Sequence, residues 1–213
     1  MWDKDAPFLP PRGGRNWRRP GHRDTFGSMT IRHAAALLAL LAAACGKDPV
    51  SYSAPVGISL DVRSSDDVGG VILVDKNITT EQGNPYGAFT NAAVQKLGRD
   101  PSRIEVSSAT LRLEPASTNV TALEQVFLST TRLSFQMNGS NNSYPVASIT
   151  APTGAGPVAL QVAFDSGAMT PADYASLVGG NFKLALTGAA ASGFGTRGAT
   201  AKLVATLTFV AFE

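Results

Sequence analysis

The sequence predicts an all-β protein, a single β-sandwich of Ig-like or Greek-key topology with about eight strands and one or two short helices. Apolar and polar residues alternate in most segments after residue 55, and runs of turn-forming residues separate those segments. Only two short segments have the start signals of helices. A β-barrel built from the same strands is the alternative architecture.

The first predicted strand contains Val56, Ile58, Leu60 and Val62, which alternate with polar residues or glycine. A short continuous apolar run at 71–74 predicts the second. The alternation at 104–113 changes phase near Ser107, which predicts a β-bulge. The remaining strands are predicted where the alternation resumes, at 126–137, 158–164, 182–186 and 201–209.

Two segments interrupt the alternation with helix signals. Asn84 and Pro85 form a cap followed by a proline at the first helical position, and Gly98 is a stop signal. Thr170 and Pro171 repeat the pattern over one or two turns. We therefore expect a helix near 85–97 and a shorter one that starts near 171.

Cys45 is the only cysteine of the chain and follows an apolar segment. Residues 29–33 form a short basic start, 34–41 are apolar, and Ala42, Ala43 and Ala44 are small enough for a cleavage site. This pattern resembles the signal peptide of bacterial lipoproteins. The resemblance implies cleavage before Cys45, lipid attachment to its thiol, and a location on the membrane surface. An ordinary signal peptide with a chance cysteine is the alternative.

The expected domain organisation follows from this signal. We interpret residues 1–28 as a disordered segment produced by an upstream mis-start, residues 29–44 as the signal peptide and residues 45–55 as the lipidated cysteine and tether. Residues 56–213 are expected to form the β-sandwich domain. Gly46 lies where an aspartate would resemble an inner-membrane retention signal, so we expect the outer membrane, with the inner membrane or secretion as alternatives.

The composition after Cys45 excludes several classes of site. Residues 46–213 contain no histidine, tryptophan or further cysteine, which excludes Ser-His-Asp and Cys-His catalysis, zinc sites with Cys or His ligands, and disulfides. The same residues have eleven basic and thirteen acidic side chains, so nothing in them suggests a nucleic-acid partner. We predict no cofactor and no enzymatic activity.

A few patterns remain as weak candidates for a site. Calcium ligands are suggested by four aspartates close in sequence: Asp61, Asp66, Asp67 and Asp75. A carboxylate-dependent hydrolase, such as a glycosidase, would draw on Glu105, Glu114, Glu124, Asp165 and Asp173. Residues 193–198 spell GxGxxG, but a strand follows them, so we interpret them as a mobile hairpin loop together with 187–191. Arg99, Arg103 and Arg112 could form a basic strip near the helix that contains Phe89, but we expect a solvated face with acidic neighbours, namely Asp100, Glu105 and Glu114.

The segments SRIEVSSATLRLEP, VFLSTTRLSF and PADYASLVGGNFKLALTG are similar to β-sandwich lipoproteins of unknown role. This resemblance implies a fold and an envelope location, and no catalytic residue. The expected function is therefore a lipid-anchored envelope protein with a non-catalytic binding or structural role. The alternatives are the hydrolase and an assembly subunit that pairs through its apolar C-terminal strand.

Overall fold

The computed structural model describes residues 50–81 and 83–213. The predictions for residues 1–28, for the signal peptide at 29–44, and for Cys45 and residues 46–49 of the tether lie outside this part of the chain. No helix among the described residues is long and apolar enough to cross a membrane.

The described part of the chain is mostly β-structure, as expected, with nine antiparallel strands. The strands are β1 (Ser51–Arg63), β2 (Asp67–Val68), β3 (Val71–Ile78), β4 (Arg103–Leu113), β5 (Phe127–Met137), β6 (Ser143–Ile149), β7 (Val158–Val162), β8 (Phe182–Ala190) and β9 (Thr200–Phe212). Their order in the sheet is β1-β9-β4-β7-β6-β5-β8-β3-β2. The ladders continue from β4 through β7 to β6, so the strands form one curled sheet, a half-barrel, in place of two separate sheets.

The C-terminal strand lies inside the sheet. β9 pairs with β1 from Thr200 to Phe212 and with β4 on its other side. The register of β4 shifts between Val106 and Ser108, at the position where the sequence predicts a bulge. Because both sides of β9 are hydrogen-bonded, this strand has no open edge to which a partner strand could add.

The core is filled by the apolar residues of the alternating runs, which are buried on the inner face of the sheet. Phe135 of β5 stacks on Phe209 of β9 with ring centroids 6.1 Å apart, so strands from distant parts of the sheet meet across the core. Phe135 also contacts Phe182 of β8 edge-on at 4.9 Å. Aromatic rings thus join strands from distant parts of the sheet across the core.

Two helices lie at the end of the sheet where β1 begins and β9 ends. Helix α1 spans Pro85–Leu97 and α2 spans Pro171–Val178. The Asn84 side chain caps α1 by accepting a hydrogen bond from the Tyr86 backbone N–H, and Gly98 ends this helix in the left-handed conformation. Thr170 caps α2 by accepting from the Asp173 backbone N–H. Both helix predictions are therefore confirmed.

Candidate binding cleft between the two helices

A concave site among the described residues lies between α1 and α2 and has a volume of about 560 Å³. Its lining combines hydroxyl and amide groups, one carboxylate and apolar side chains. The lining residues are Thr80, Thr90, Asn91, Val94, Asp100, Pro101, Tyr174, Ala175, Val178 and Gly179. A cleft with apolar walls and a few polar groups is the usual form of a small-molecule site.

The two helices that form the cleft are joined by a buried hydrogen bond. Tyr86 of α1 is fully buried, and its hydroxyl donates to the Leu177 carbonyl of α2 at 2.8 Å. Its ring packs edge-on against Phe182 and Phe209, with centroids 5.1 Å away in each case. Burial raises the pKa of the Tyr86 hydroxyl, because the anion would lose its hydration. Tyr86 therefore fixes the spacing of the cleft walls as a neutral hydrogen-bond donor.

Tyr174 connects α2 to the chain that enters β4. Its hydroxyl donates to the Pro101 carbonyl at 2.9 Å. The pKa of the Tyr174 hydroxyl is raised to about 12, mainly by burial and to a smaller extent by the charge of the Asp100 carboxylate. The phenol is thus neutral at physiological pH, and its oxygen can accept a further hydrogen bond from a ligand.

Asp100 is the only charged side chain among the described residues that line the cleft. It is exposed, and no salt bridge or side-chain hydrogen bond connects it to another described residue. The neighbouring Arg99 is 3.6 Å from Glu213 instead. The cleft therefore contains a negative charge that is not neutralised by a described neighbour.

The threonines of the cleft are already engaged as donors. The buried Thr90 hydroxyl donates to the Gly87 carbonyl within α1 at 3.1 Å. The Thr80 hydroxyl donates to the Gly179 carbonyl at the end of α2 at 3.4 Å. Both oxygens keep lone pairs that can accept from a ligand, while the Asn91 amide can accept through its oxygen and donate through its nitrogen.

A buried carboxylate lies one residue before Tyr174 and fixes the start of α2. Asp173 is 2% exposed and accepts hydrogen bonds from four side chains. The donors are Ser140 at 2.6 Å, Asn142 at 2.8 Å, Tyr144 at 2.7 Å and Thr170 at 2.9 Å.

The hydrogen bonds that Asp173 accepts hold the pKa of its carboxyl far below the usual range. The hydrogen bond from Asn142 has the largest effect, followed by those from Ser140 and Tyr144. The same contact with the carboxylate raises the pKa of the Tyr144 hydroxyl. Through its contacts with Ser140 and Asn142, Asp173 connects the loop between β5 and β6 to α2. These hydrogen bonds stabilise the ionised carboxylate, so Asp173 is not available as a catalytic acid.

The structure does not bring the four calcium candidates together. Asp66 accepts from the Arg63 backbone N–H at 2.7 Å, and Asp67 from the Gly70 N–H at 2.9 Å. Asp75 pairs with Lys183 at 3.4 Å, and Asp61 is an exposed residue of β1. Within the described ranges, no group of three or more histidines, cysteines or acidic residues is placed to hold a metal.

The other carboxylates proposed for hydrolysis each contact a local partner. Glu105 lies 3.3 Å from Arg103, and Glu114 lies 2.6 Å from Arg112. Glu124 accepts from the Gly154 N–H, and Asp165 accepts from the Gly167 N–H. The expected solvated face with acidic neighbours is therefore present around these arginines, and each of these four acids has a structural contact of its own.

The GxGxxG loop is anchored, contrary to the expectation of a mobile connection. β8 continues as a strand to Ala190, so residues 187–190 do not belong to the loop. Phe194 at its centre is fully buried. The Ser64 hydroxyl donates to the Phe194 carbonyl at 2.7 Å and accepts from the Ala199 N–H at 2.8 Å. The loop therefore closes the core at the end of the sheet opposite the helices.

The cleft was not foreseen from the sequence, although both of its helices were. Its walls come from residues far apart in the chain, and Asp100 and Pro101 meet Tyr174 only after folding. The two cap-and-proline signals were the available sequence clue, because they placed the only two predicted helices in an otherwise β-rich chain.

Comparison with protein families, with curated proteins and with solved structures found no match.

Proposed function

We propose that the protein is a lipid-anchored binding protein of the bacterial cell envelope, and that the cleft between α1 and α2 is its binding site. The observation that supports a binding role is the composition of the cleft. It combines one carboxylate, hydroxyl and amide groups and apolar walls, and no histidine, cysteine, lysine or arginine is among the described residues that line it. Such a lining can orient a small ligand through a few polar groups placed among apolar walls.

The proposed anchor is a lipid on Cys45. Each buried methylene contributes about 0.8 kcal/mol, so one acyl chain holds a protein only reversibly while two or more chains anchor it stably. We propose the outer membrane as the location, with the inner membrane or secretion as alternatives, on the basis of Gly46 after the cysteine.

The position of the cleft supports a role close to the membrane. Five residues separate Cys45 from Ser51, where β1 begins. They span at most about 20 Å from cysteine to strand when fully extended. Ser51 pairs with Phe212, and the Ser102 backbone N–H donates to the Phe212 carbonyl. The chain segment that contains Asp100 therefore lies at the end of the sheet where β1 begins. A lipid at Cys45 would therefore hold the cleft near the bilayer.

For the architecture, we propose that the curled sheet is a β-sandwich whose two faces remain connected through β7. The contact between Phe135 of β5 and Phe209 of β9 supports this, because residues of opposing sheets meet in this way in sandwiches. An experimental structure in which the strands around β7 form an open trough without facing layers would contradict the proposal.

The binding role is tested by obstructing the cleft. Ala175 is an exposed cleft residue of α2, and Ala172 is exposed on the same helix outside the cleft. A fragment library is screened by NMR against the natural protein, Ala175→Phe and Ala172→Phe. We expect fragments that shift the cleft resonances to lose binding only to Ala175→Phe. If no fragment shifts these resonances, or if both variants bind equally, the cleft is not the binding site.

A further inference from the structure

The charge of the cleft distinguishes it from a general apolar groove. Among the described residues, Asp100 is the only charged one that lines the cleft, and no described cation lies within salt-bridge distance of its carboxylate. The hydroxyls of Thr80, Thr90 and Tyr174 already donate to backbone carbonyls and present lone pairs, and the Asn91 amide can accept through its oxygen as well as donate through its nitrogen. A site with a free carboxylate and surplus acceptors is complementary to a group that is positively charged and rich in donors.

A primary ammonium group meets this description more closely than other common charged groups. It is compact and has three donors and no acceptor. Asp100, Asn91 and Thr80 all line the cleft, and each has a side-chain oxygen that can accept a hydrogen bond. A planar guanidinium group would need a bidentate partner and further acceptors in one plane to satisfy its donors. An anion would be repelled by the negative charge of Asp100.

The apolar part of the lining determines the rest of the ligand. Val94 of α1 and Ala175 and Val178 of α2 form the non-polar walls. A volume of about 560 Å³ accommodates a ligand of several non-hydrogen atoms. A short hydrocarbon chain attached to the ammonium group would cover these side chains and remove apolar surface from water.

We propose that the cleft binds small primary amines, with the ammonium group against Asp100 and the carbon chain against the valines. This inference rests on the proposed function, since it names the ligand class of the same cleft. The effect of the Asp100 charge on the Tyr174 hydroxyl agrees with a negative potential inside the cleft.

The test compares three probes of similar shape and different charge. n-Butylammonium, n-butanol and butyrate are titrated into the full-length protein, and binding is followed by NMR shifts of cleft residues. We expect n-butylammonium to bind more tightly than n-butanol, and butyrate not to bind. Because the pair is partly exposed, the preference should be about three- to fivefold and should fall as salt is raised.

Two substitutions assign the preference to one carboxylate. Asp100→Asn should weaken n-butylammonium binding about three- to fivefold and leave n-butanol unchanged. Asp61→Asn removes the same charge from an exposed position on β1 outside the cleft and should change neither affinity. Since Asp100 makes no side-chain hydrogen bond to a described residue, we expect Asp100→Asn to fold normally, and its thermal unfolding is measured as a check.

The outcomes separate this inference from the proposed function. If the three probes bind equally, or if Asp100→Asn leaves the preference intact, the amine inference is wrong. Should n-butanol still shift the cleft resonances and lose binding in Ala175→Phe, the cleft remains a binding site for neutral ligands. If no probe shifts these resonances and the fragment screen is also negative, both proposals are contradicted.

Discussion

Replacing Tyr86 by phenylalanine should destabilise the fold by about 1 kcal/mol, close to the net value of one hydrogen bond. The variant keeps the buried ring and loses only the hydroxyl that donates to the Leu177 carbonyl at 2.8 Å. An orphaned buried carbonyl would cost up to about 3 kcal/mol. Here the same carbonyl also accepts from the Gly180 backbone N–H at 3.1 Å, so it keeps a partner and the smaller value applies.

The assay is urea unfolding followed by circular dichroism, together with thermal unfolding. A loss of about 1 kcal/mol lowers the melting temperature by about 2–4 °C in a protein of this size. Tyr52→Phe is the matched control, because Tyr52 is half-buried against Phe89 and its hydroxyl makes no hydrogen bond to a described residue. The reasoning is refuted if Tyr86→Phe unfolds like the natural protein, or if Tyr52→Phe costs as much.

Three further predictions concern acid, base and the anchored loop. Because the pKa of Asp173 is lowered in the fold, its contribution to the free energy of unfolding is present above the unfolded pKa of about 4 and is lost at lower pH. Asp173→Asn should therefore lower the melting temperature at pH 7, and this difference from the natural protein should shrink below pH 4; a difference independent of pH would contradict the prediction. Since the pKa of Tyr174 is about 12 in the fold, the stability of the protein should fall as pH rises above about 10. Asp100→Asn should lower the pKa of Tyr174, which is followed by absorbance at about 295 nm; an unchanged alkaline titration would rule out the effect of the Asp100 charge on Tyr174. Phe194→Ala should lower the free energy of unfolding in urea by about 3–5 kcal/mol, whereas Arg197→Ala, at an exposed position, should change it by less than about 0.5 kcal/mol. Equal effects of the two substitutions would mean that the loop is not anchored by its buried ring.

The sequence was most informative where structure depends on near neighbours. The alternation of Val56, Ile58, Leu60 and Val62 lies on β1, and all four residues are buried. The phase change near Ser107 marks a real register shift, and the caps at Asn84 and Thr170 start the two helices. Local steric and hydrogen-bonding preferences decide these features, so a short window of residues is enough to predict them.

The sequence was less informative where the structure depends on pairing between segments that are far apart in the chain. Leu128 belongs to a predicted apolar run but is 65% exposed, because the pairing of β5 with β8 shifts between Phe127 and Thr131. β6 was missed because Pro145 and Ser148 interrupt its apolar pattern. The connection through β7 that makes one curled sheet depends on long-range pairing, which alternation does not specify.

The site was predicted least well, for the same physical reason. The sequence places Tyr174 in a short helix and Asp100 beside the arginines, and indicates no link between them. Neither residue has a motif around it, and their shared cleft exists only once α2 packs near the start of β4. The buried position of Phe194 was also hidden, since its glycine-rich surroundings are typical of mobile loops.

The central claim, a binding protein held to the envelope by a lipid on Cys45, is tested most directly by the mass of the N-terminal peptide of protein isolated from membranes. We expect that peptide to begin at Cys45 and to carry a diacylglyceryl group and an amide-linked chain, and we expect Cys45→Ser to abolish incorporation of labelled fatty acid. An unmodified Cys45 still preceded by residues 29–44, or lipid labelling of the Cys45→Ser protein, would contradict the claim.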